Sequence, residues 1–250
     1  MIQSKNTVYA LAFGAHPDDV ELCASSTLLK IMQEGHSVAV CDLTLGELGT
    51  RGNAKLRKVE AAEATRQMNY TRRISLNLGD GTFENTHENR LEVIKIIRYF
   101  RPTVVFANPP EERHPDHKRA SSLVSDSVFY SGLSKIKTKF SKIEQSPYRP
   151  TYMLYYIHDR FTMPSIIVDV SATFEESRKA VLAFKSQFYS PKATEPETYI
   201  SRLDFLDSIE ARAKVLGEAI GAKYGEGFIL KKTPGVFSFY DLFPIRNVIN

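Results

Sequence analysis

Cysteine is scarce in this sequence, and segments that would direct the chain into a membrane are missing. The 250 residues include two cysteines, Cys23 and Cys41, and each lies in an apolar stretch. Because two cysteines cannot build a disulfide framework, we expect reduced and buried thiols. There is no run of about eighteen apolar residues, and residues 1–10 show no signal-peptide pattern. We therefore expect a cytoplasmic protein that has no membrane partner.

A strong excess of one charge is also absent. The chain has 33 Lys and Arg against 29 Asp and Glu, which gives a net charge of +4 without a long basic run. This balance disfavours nucleic acid as a partner. With 250 residues, of which 42% are hydrophobic, the chain can bury one sizeable core. We predict a single α/β domain over residues 1–250.

Apolar runs alternate with helical patterns through the first half of the chain. This alternation predicts parallel pairing with right-handed crossovers. The result is a Rossmann-like, mostly parallel sheet in strand order 3-2-1-4, with helices on both faces. The polar, basic residues 135–150 are predicted to be a loop. The predicted strands span residues 8–13, 37–43, 73–78, 103–107, 151–157 and 165–170; the predicted helices span 20–34, 54–68, 89–100, 116–130, 171–188 (with Ser171 as cap) and 199–222.

The turn after the first predicted strand contains a histidine, a proline and two aspartates. Pro17 favours an extended His16 and can open the helix that follows. His16 and Asp19 are three residues apart, so both side chains can reach one point beyond the strand. This pair, with Asp18 as a spare carboxylate, suits a divalent metal and a general base. The alternative is that the two aspartates only cap the helix.

A second turn of the same design, His114-Pro115-Asp116-His117, follows the predicted strand 103–107. Together the two turns offer two histidines and one carboxylate as ligands, with a further carboxylate and imidazole for chemistry. Three protein ligands leave an open position for water, as in catalytic zinc sites. Taken alone, His114 and His117 also fit a pair of surface histidines.

The predicted topology brings the two turns together. In order 3-2-1-4 the strand order reverses between strands 1 and 4, and ligands bind beyond the carboxyl ends of strands at such a point. We therefore predict a metal site at the C-terminal ends of strands 1 and 4. A dinucleotide site is disfavoured, because Ala15, His16 and Pro17 occupy the turn that would need the glycine-rich fingerprint.

The two turns resemble those of the LmbE/PIG-L family of zinc-dependent N-acetylglucosaminyl deacetylases. Within that family, the chain is most similar to the branch that makes bacillithiol. The resemblance implies a Zn2+ cofactor and a small-molecule N-acetyl amino-sugar substrate, N-acetylglucosaminyl-malate. It also implies assembly into trimers or hexamers, and the apolar, aromatic residues 236–243 could serve that interface. Further segments that carry the resemblance are residues 13–21, 41–44, 47–52, 113, 199–200, 209–212 and 224–228.

Each residue of the two turns has an expected role. We assign His16, Asp19 and His117 as metal ligands, which the resemblance also implies. Asp18 is the candidate general base, which takes a proton from water and delivers it to the leaving amine. His114 is expected to stabilise the tetrahedral oxyanion, and Asp116 is expected to orient a histidine.

Four other residues are candidates for substrate binding. Arg51 lies in the glycine-containing loop after the second strand, where it is expected to face the crevice, and Arg113 directly precedes the second turn. Because a guanidinium binds a carboxylate through two hydrogen bonds, both arginines suit malate. Glu47 and Tyr199 are expected to contact the sugar or the oxyanion.

Three alternative functions fit parts of this pattern. Two histidines and one carboxylate also hold iron in non-haem oxygenases, although an oxygenase does not need Asp18 as a neighbouring base. A non-catalytic protein that binds a metal or a sugar would not need the intact set of Asp18, His114 and Asp116. The third alternative is an amide hydrolase that acts on another N-acylated sugar. The sequence distinguishes this alternative least well from an N-acetylglucosaminyl deacetylase.

Overall fold

The computed structural model describes residues 6–238 and residue 240. Its strands are β1 (Ala10–Gly14), β2 (Val38–Asp42), β3 (Arg72–Ser75), β4 (Val104–Ala107), β5 (Lys139–Phe140), β6 (Ile143–Glu144), β7 (Tyr152–Tyr156), β8 (Ile166–Asp169) and β9 (Gly225–Leu230). Its helices are α1 (Asp19–Gln33), α2 (Ala54–Met68), α3 (His87–Phe100), α4 (Pro115–Tyr130), α5 (Phe174–Val181) and α6 (Phe205–Glu218), with a 3-10 turn at Tyr199–Ser201.

One sheet of seven strands forms the centre of the described chain, in the order β3-β2-β1-β4-β7-β9-β8. The first five strands in this order are mutually parallel, whereas β9 runs antiparallel to both β7 and β8. The predicted α/β class and the order 3-2-1-4 are therefore confirmed. The strand order reverses beside β1, so the carboxyl ends of β1 and β4 flank the crevice.

Helices cover both faces of the sheet, as predicted. Side chains alternate along β1: Ala10 and Ala12 join one apolar cluster, while Leu11 and Phe13 join the other. The first cluster includes buried residues of α1, α2 and α5, and the second includes those of α3 and α4. Strands β1, β2 and β4 are thus buried on both sides, which explains their largely apolar sequences.

The second half of the chain departs from the predicted boundaries. Helix α5 ends at Val181 instead of residue 188, and it begins after Thr173 instead of Ser171. The Ser171 hydroxyl accepts hydrogen bonds from the N–H groups of Lys223 and Tyr224, so it does not cap the helix. Helix α6 begins at residue 205, after the separate 3-10 turn, and residues 135–150 contain the β5–β6 hairpin.

Two further expectations concern the cysteines and the end of the chain. Cys23 and Cys41 are free and buried, as predicted. Val236 and Phe237 are exposed, but 239 and 241–243 of the predicted interface lie outside the described residues. Assembly into trimers or hexamers stays a prediction.

None of the helices described is long and apolar enough to cross a membrane.

Charged side chains from β9 and α6 bind the backbone in the middle of α1. In a regular helix the N–H of Ser26 donates to the carbonyl of Leu22, four residues earlier. Here the Glu226 carboxylate accepts hydrogen bonds from the N–H groups of Ser26 at 3.0 Å and Thr27 at 2.7 Å. The Leu22 carbonyl accepts a hydrogen bond of 3.0 Å from the Arg212 guanidinium. Strand β9 and helix α6 are therefore tied to the helix that carries Asp19.

We expect the substitution Glu226→Ala to destabilise the protein, because it removes the acceptor of two buried N–H groups. The loss should be about 2–4 kcal/mol, which lowers Tm by roughly 5–15 °C. Thermal denaturation followed by circular dichroism measures it. The control is Glu218→Ala, which removes an exposed glutamate at the end of α6. An equal Tm change in the two variants would contradict the structural role of Glu226.

Candidate active site

The two His-Pro-Asp turns lie side by side at one edge of the sheet. β1 and β4 are parallel neighbours, so their carboxyl ends point the same way. Asn108, one residue beyond β4, joins the turns: its side-chain oxygen accepts from the Ala15 N–H, and its amide donates to Asp19 Oδ2, both at 2.9 Å. Sequence analysis missed Asn108, and its place directly after a buried strand was the one signal that could have indicated it.

Two of the predicted metal ligands, His16 and His117, both lie close to the third, Asp19. His117 Nε2 lies 3.2 Å from Asp19 Oδ1, and His16 Nδ1 lies 3.8 Å from Asp19 Oδ2. Burial raises the pKa of Asp19, but the charge of His117 and hydrogen bonds with His117, His158 and His16 hold it well below its usual range. The Asp19 carboxylate is therefore ionised, and imidazoles surround it.

Two carboxylates hold the opposite side of the His16 ring. His16 Nε2 lies 3.1 Å from Asp80 Oδ1 and 3.3 Å from Asp116 Oδ2. Burial alone would lower the pKa of His16, but hydrogen bonds with Asp116, Asp19 and Asp80 raise it well above its usual value. The two carboxylates hold Nε2, so Nδ1 is the ring nitrogen that faces Asp19. Asp80, which lies between two glycines in the loop after β3, was not selected from the sequence.

Asp18 has a strained backbone and an ion pair with Arg57 of α2. Its φ is 123°, a value that residues other than glycine rarely adopt. Asp18 Oδ2 lies 3.1 Å from Arg57 Nη2, and the same guanidinium donates to the Pro17 carbonyl. Burial raises the pKa of Asp18 to about 6, against the positive charge of Arg57. A carboxylate with this pKa can both take and return a proton near neutral pH.

His114 is a neutral hydrogen-bond donor at the N-terminus of α4. Its Nδ1 accepts a hydrogen bond of 3.3 Å from the Asp116 N–H, so the proton of the neutral ring lies on Nε2. Burial, followed by the charges of His16 and His117, lowers the pKa of His114 to about 4. At neutral pH this imidazole can therefore donate one hydrogen bond without carrying a charge.

A cavity of about 410 Å³ opens beside these residues. This volume lies within the usual range of sites for small molecules, roughly 300–1,000 Å³. The cavity therefore gives one ligand access to both turns at once. Its wall includes His16, Asp18, Asp19, His114 and His117, together with Arg113, Tyr199 and His158, the last of which was not selected from the sequence.

Arg113 and Tyr199, two of the predicted substrate residues, lie together in the wall of the cavity. The Arg113 guanidinium lies 4.1 Å from the centre of the Tyr199 ring. Its Nε is 3.4 Å from Asp159 Oδ2, and the Tyr199 hydroxyl donates a hydrogen bond to the same carboxylate. The Arg113 side chain is 42% exposed, so its charge is accessible to a ligand.

Arg51 and Glu47 do not line the cavity, contrary to the sequence-based expectation. The Arg51 side chain is buried, and its Nη1 donates to the Phe188 carbonyl at 3.0 Å. Glu47 accepts hydrogen bonds from the N–H groups of Asp80 at 2.8 Å and Leu45 at 3.0 Å. The loop after β2 thus directs Arg51 into the protein, whereas Glu47 is exposed and holds the backbone of neighbouring loop residues.

Comparisons with known proteins find similarity to deacetylases. Residues 11–128 match the model of the PIG-L family, described as GlcNAc-PI de-N-acetylase. A diacetylchitobiose deacetylase from Thermococcus kodakarensis is 28% identical over 238 residues, which cover 91% of this chain and 84% of that protein. A probable N-acetyl-alpha-D-glucosaminyl L-malate deacetylase from Bacillus anthracis is 29% identical over 50% of this chain and 61% of that protein.

The likeness to a solved structure extends over almost the whole chain. The crystal structure of the conserved protein TT1542 from Thermus thermophilus has a TM-score of 0.81 at 32% identity, covering 94% of this chain and 99% of that one. The matched family model contains both His-Pro-Asp turns. The resemblance read from the sequence is thus supported, because the part of the chain that holds both turns is similar to the PIG-L family and the relatives named above are deacetylases.

Proposed function

We propose that this protein is a metal-dependent hydrolase that removes the acetyl group from an N-acetylglucosamine unit. The observation that carries the proposal is the position of Asp18. Its buried carboxylate has a pKa of about 6 and lies in the cavity wall together with His16, Asp19 and His117. Hydrolysis of an amide needs a general base beside a group that polarises the carbonyl. Similarity to the PIG-L family and to a diacetylchitobiose deacetylase favours hydrolysis over the oxygenase alternative.

The residues of the cavity fit a divalent metal. His16, Asp19 and His117 provide two imidazoles and one carboxylate, which are ligand types that Zn2+ accepts. The carboxylates of Asp80 and Asp116 bind the far nitrogen of His16, which is the outer contact that metal-binding histidines usually make. We propose that His16, Asp19 and His117 hold Zn2+.

The other side chains would carry out the proton transfers and stabilise charge. A bound divalent ion supplies Lewis acidity, which polarises the carbonyl and lowers the pKa of water toward neutrality. Asp18 takes the proton of the attacking water and later delivers it to the leaving amine. His114 donates its Nε2 proton in a hydrogen bond to the developing oxyanion. Arg57 keeps the strained Asp18 in position throughout.

For the substrate we propose a small N-acetylglucosaminide whose remaining part contacts Arg113 and Tyr199. A disaccharide such as diacetylchitobiose is supported by the relative whose match covers 91% of this chain. N-acetylglucosaminyl-malate, the bacillithiol precursor, is a second candidate because the partly exposed Arg113 guanidinium can bind a carboxylate. Arg51 does not line the cavity, so Arg113 is the one of the two predicted arginines that can bind the malate carboxylates there.

The first prediction for this function concerns the metal. We expect His16→Ala, Asp19→Ala and His117→Ala to lower the zinc content of the purified protein sharply, because each removes a donor of the proposed set. Inductively coupled plasma mass spectrometry measures the content. His36→Ala is the control, since this exposed histidine lies against Tyr9 and away from the cavity. Full zinc content in all three variants would disprove the ligand set.

The second prediction concerns the general base. Asp18→Asn should keep the zinc content and lower kcat by about a hundred- to ten-thousandfold, the usual contribution of acid–base catalysis. Asn is a suitable replacement because it tolerates positive φ better than most residues. Acetate release by zinc-loaded protein is the measurement, and the exposed Asp207→Asn is the control. Near-normal turnover by zinc-replete Asp18→Asn would rule out its role as base.

The third prediction separates the two candidate substrates. If malate is recognised, Arg113→Ala should lower kcat/KM for N-acetylglucosaminyl-malate about ten- to a hundredfold more than for diacetylchitobiose, because one hydrogen bond to a charged group is lost. The exposed Arg160→Ala, which makes the same change of charge outside the cavity wall, is the control. Equal losses on both substrates would discard malate recognition and leave the deacetylase chemistry intact.

A further inference from the structure

Asp159 contacts two side chains of the cavity wall but has no role in the scheme above. It lies in the loop after β7, and its Oδ2 is 3.4 Å from Arg113 Nε. Its other carboxylate oxygen accepts a hydrogen bond from the Tyr199 hydroxyl. One carboxylate therefore bridges the two residues that are proposed to contact the substrate beyond the N-acetylglucosamine unit.

A buried glutamate holds the backbone around Asp159. The carboxylate of Glu112, in the loop after β4, accepts hydrogen bonds from the N–H groups of Asp159 at 2.8 Å and Arg160 at 3.3 Å. The same carboxylate accepts a hydrogen bond from the N–H of Arg113. Glu112 thus fixes Arg113 and Asp159 relative to each other, and the ion pair between them is built into two adjoining loops.

The positive charges of the cavity wall are already paired with aspartates. Within the part of the chain that the structure describes, the wall contains two arginines and no lysine. Arg113 is paired with Asp159, and Arg57 is paired with Asp18 at 3.1 Å. Fixed carboxylates therefore neutralise the side chains that would have to attract an anionic substrate.

A second carboxylate at Arg113 would have to share the guanidinium with Asp159. The Asp159 carboxylate already faces Nε, and the Tyr199 ring lies 4.1 Å from the guanidinium. Two like charges about 6 Å apart weaken binding about three- to a hundredfold, for effective dielectric constants of about 80 to 20. A neutral group with hydroxyls can accept the remaining N–H groups of Arg113 without this repulsion.

We propose that Asp159 selects substrates in which the part beyond the N-acetylglucosamine unit is neutral, and that it disfavours an anionic group such as malate. This inference rests on the proposed deacetylase function and decides between its two candidate substrates in favour of a neutral sugar such as diacetylchitobiose. Asp159 is a positioning residue, because it acts through Arg113 and through its own charge. The alternative is that Asp159 only orients Arg113 to bind a carboxylate.

The substitution Asp159→Asn tests the proposal, because it removes the negative charge and keeps an oxygen that can accept the Tyr199 hydrogen bond. The measurement is kcat/KM of zinc-loaded protein for N-acetylglucosaminyl-malate and for diacetylchitobiose. The ratio of the first value to the second should rise about tenfold, mainly through a lower KM for the malate conjugate. The control is Asp207→Asn, which removes an exposed carboxylate outside the cavity wall and should leave the ratio unchanged.

A second variant separates the charge of Asp159 from the packing of its loop. Asp159→Glu retains the negative charge, so its ratio should stay close to that of the wild type. The melting temperature of each variant shows that the fold is retained. An unchanged or lower ratio in Asp159→Asn would overturn the proposal, and a lower ratio is what the alternative expects. An equal rise in Asp159→Glu would also overturn it, because the charge is then not responsible.

The same comparison can be made without turnover, in the Asp18→Asn background. Calorimetry gives the Kd of each ligand, and Asp159→Asn should shift the ratio of the two Kd values about tenfold toward the malate conjugate.

The two measurements distinguish failure of this inference from failure of the proposed function. Acetate release with an unchanged ratio in Asp159→Asn refutes the role of Asp159 and leaves the reaction standing. If the wild type releases no acetate from either substrate, the reaction is refuted, and the ratio of the Kd values decides the role of Asp159. A protein that binds neither ligand overturns both proposals.

Discussion

The buried carboxylate of Asp19 is the constraint on which the site depends. A carboxylate taken out of water costs several kcal/mol unless charges and hydrogen bonds compensate it, and this side chain is only 4% exposed. The compensation comes from separate parts of the chain: the His16 N–H after β1, the Asn108 amide after β4 and the His117 imidazole in α4. Two parallel strands and the helices that follow them must therefore come together before Asp19 can stay ionised and buried.

The elements that the sequence predicted well are those with local signals. Pro17 and Pro115 mark the change from strand to helix, and helices α1 and α4 begin within a residue or two of the predicted positions. The order of the first four strands follows from their alternation with helices, and this order brings the two turns together. His16, Asp19 and His117 meet in the structure because a local pattern and a general rule of topology agree.

The residues that sequence analysis missed or misplaced lack such signals. Asp80, Asn108 and His158 are single polar residues in loops, and their importance depends on which strand lies next to which. Arg57 belongs to a helix rich in charged residues, where nothing in the spacing separates it from a solvated arginine. Arg51 is the opposite case: its loop is close to the crevice, but the side chain turns inward to the Phe188 carbonyl. Local sequence does not determine the direction in which a loop side chain points.

Strand β9, the last one that the structure describes, was not predicted because two of its six residues are glycines, which are uncommon in strands. Gly225 is needed for close packing, since a Cβ there would lie 2.9 Å from the backbone nitrogen of Gly217 in α6. β9 lies between β7 and β8, and β8 has no other partner in the sheet as described. During synthesis, the edge of β7 therefore stays open until residues 225–230 have left the ribosome. Because open strand edges pair readily with other chains, the nascent protein is exposed to aggregation at β7 until this late strand enters the sheet.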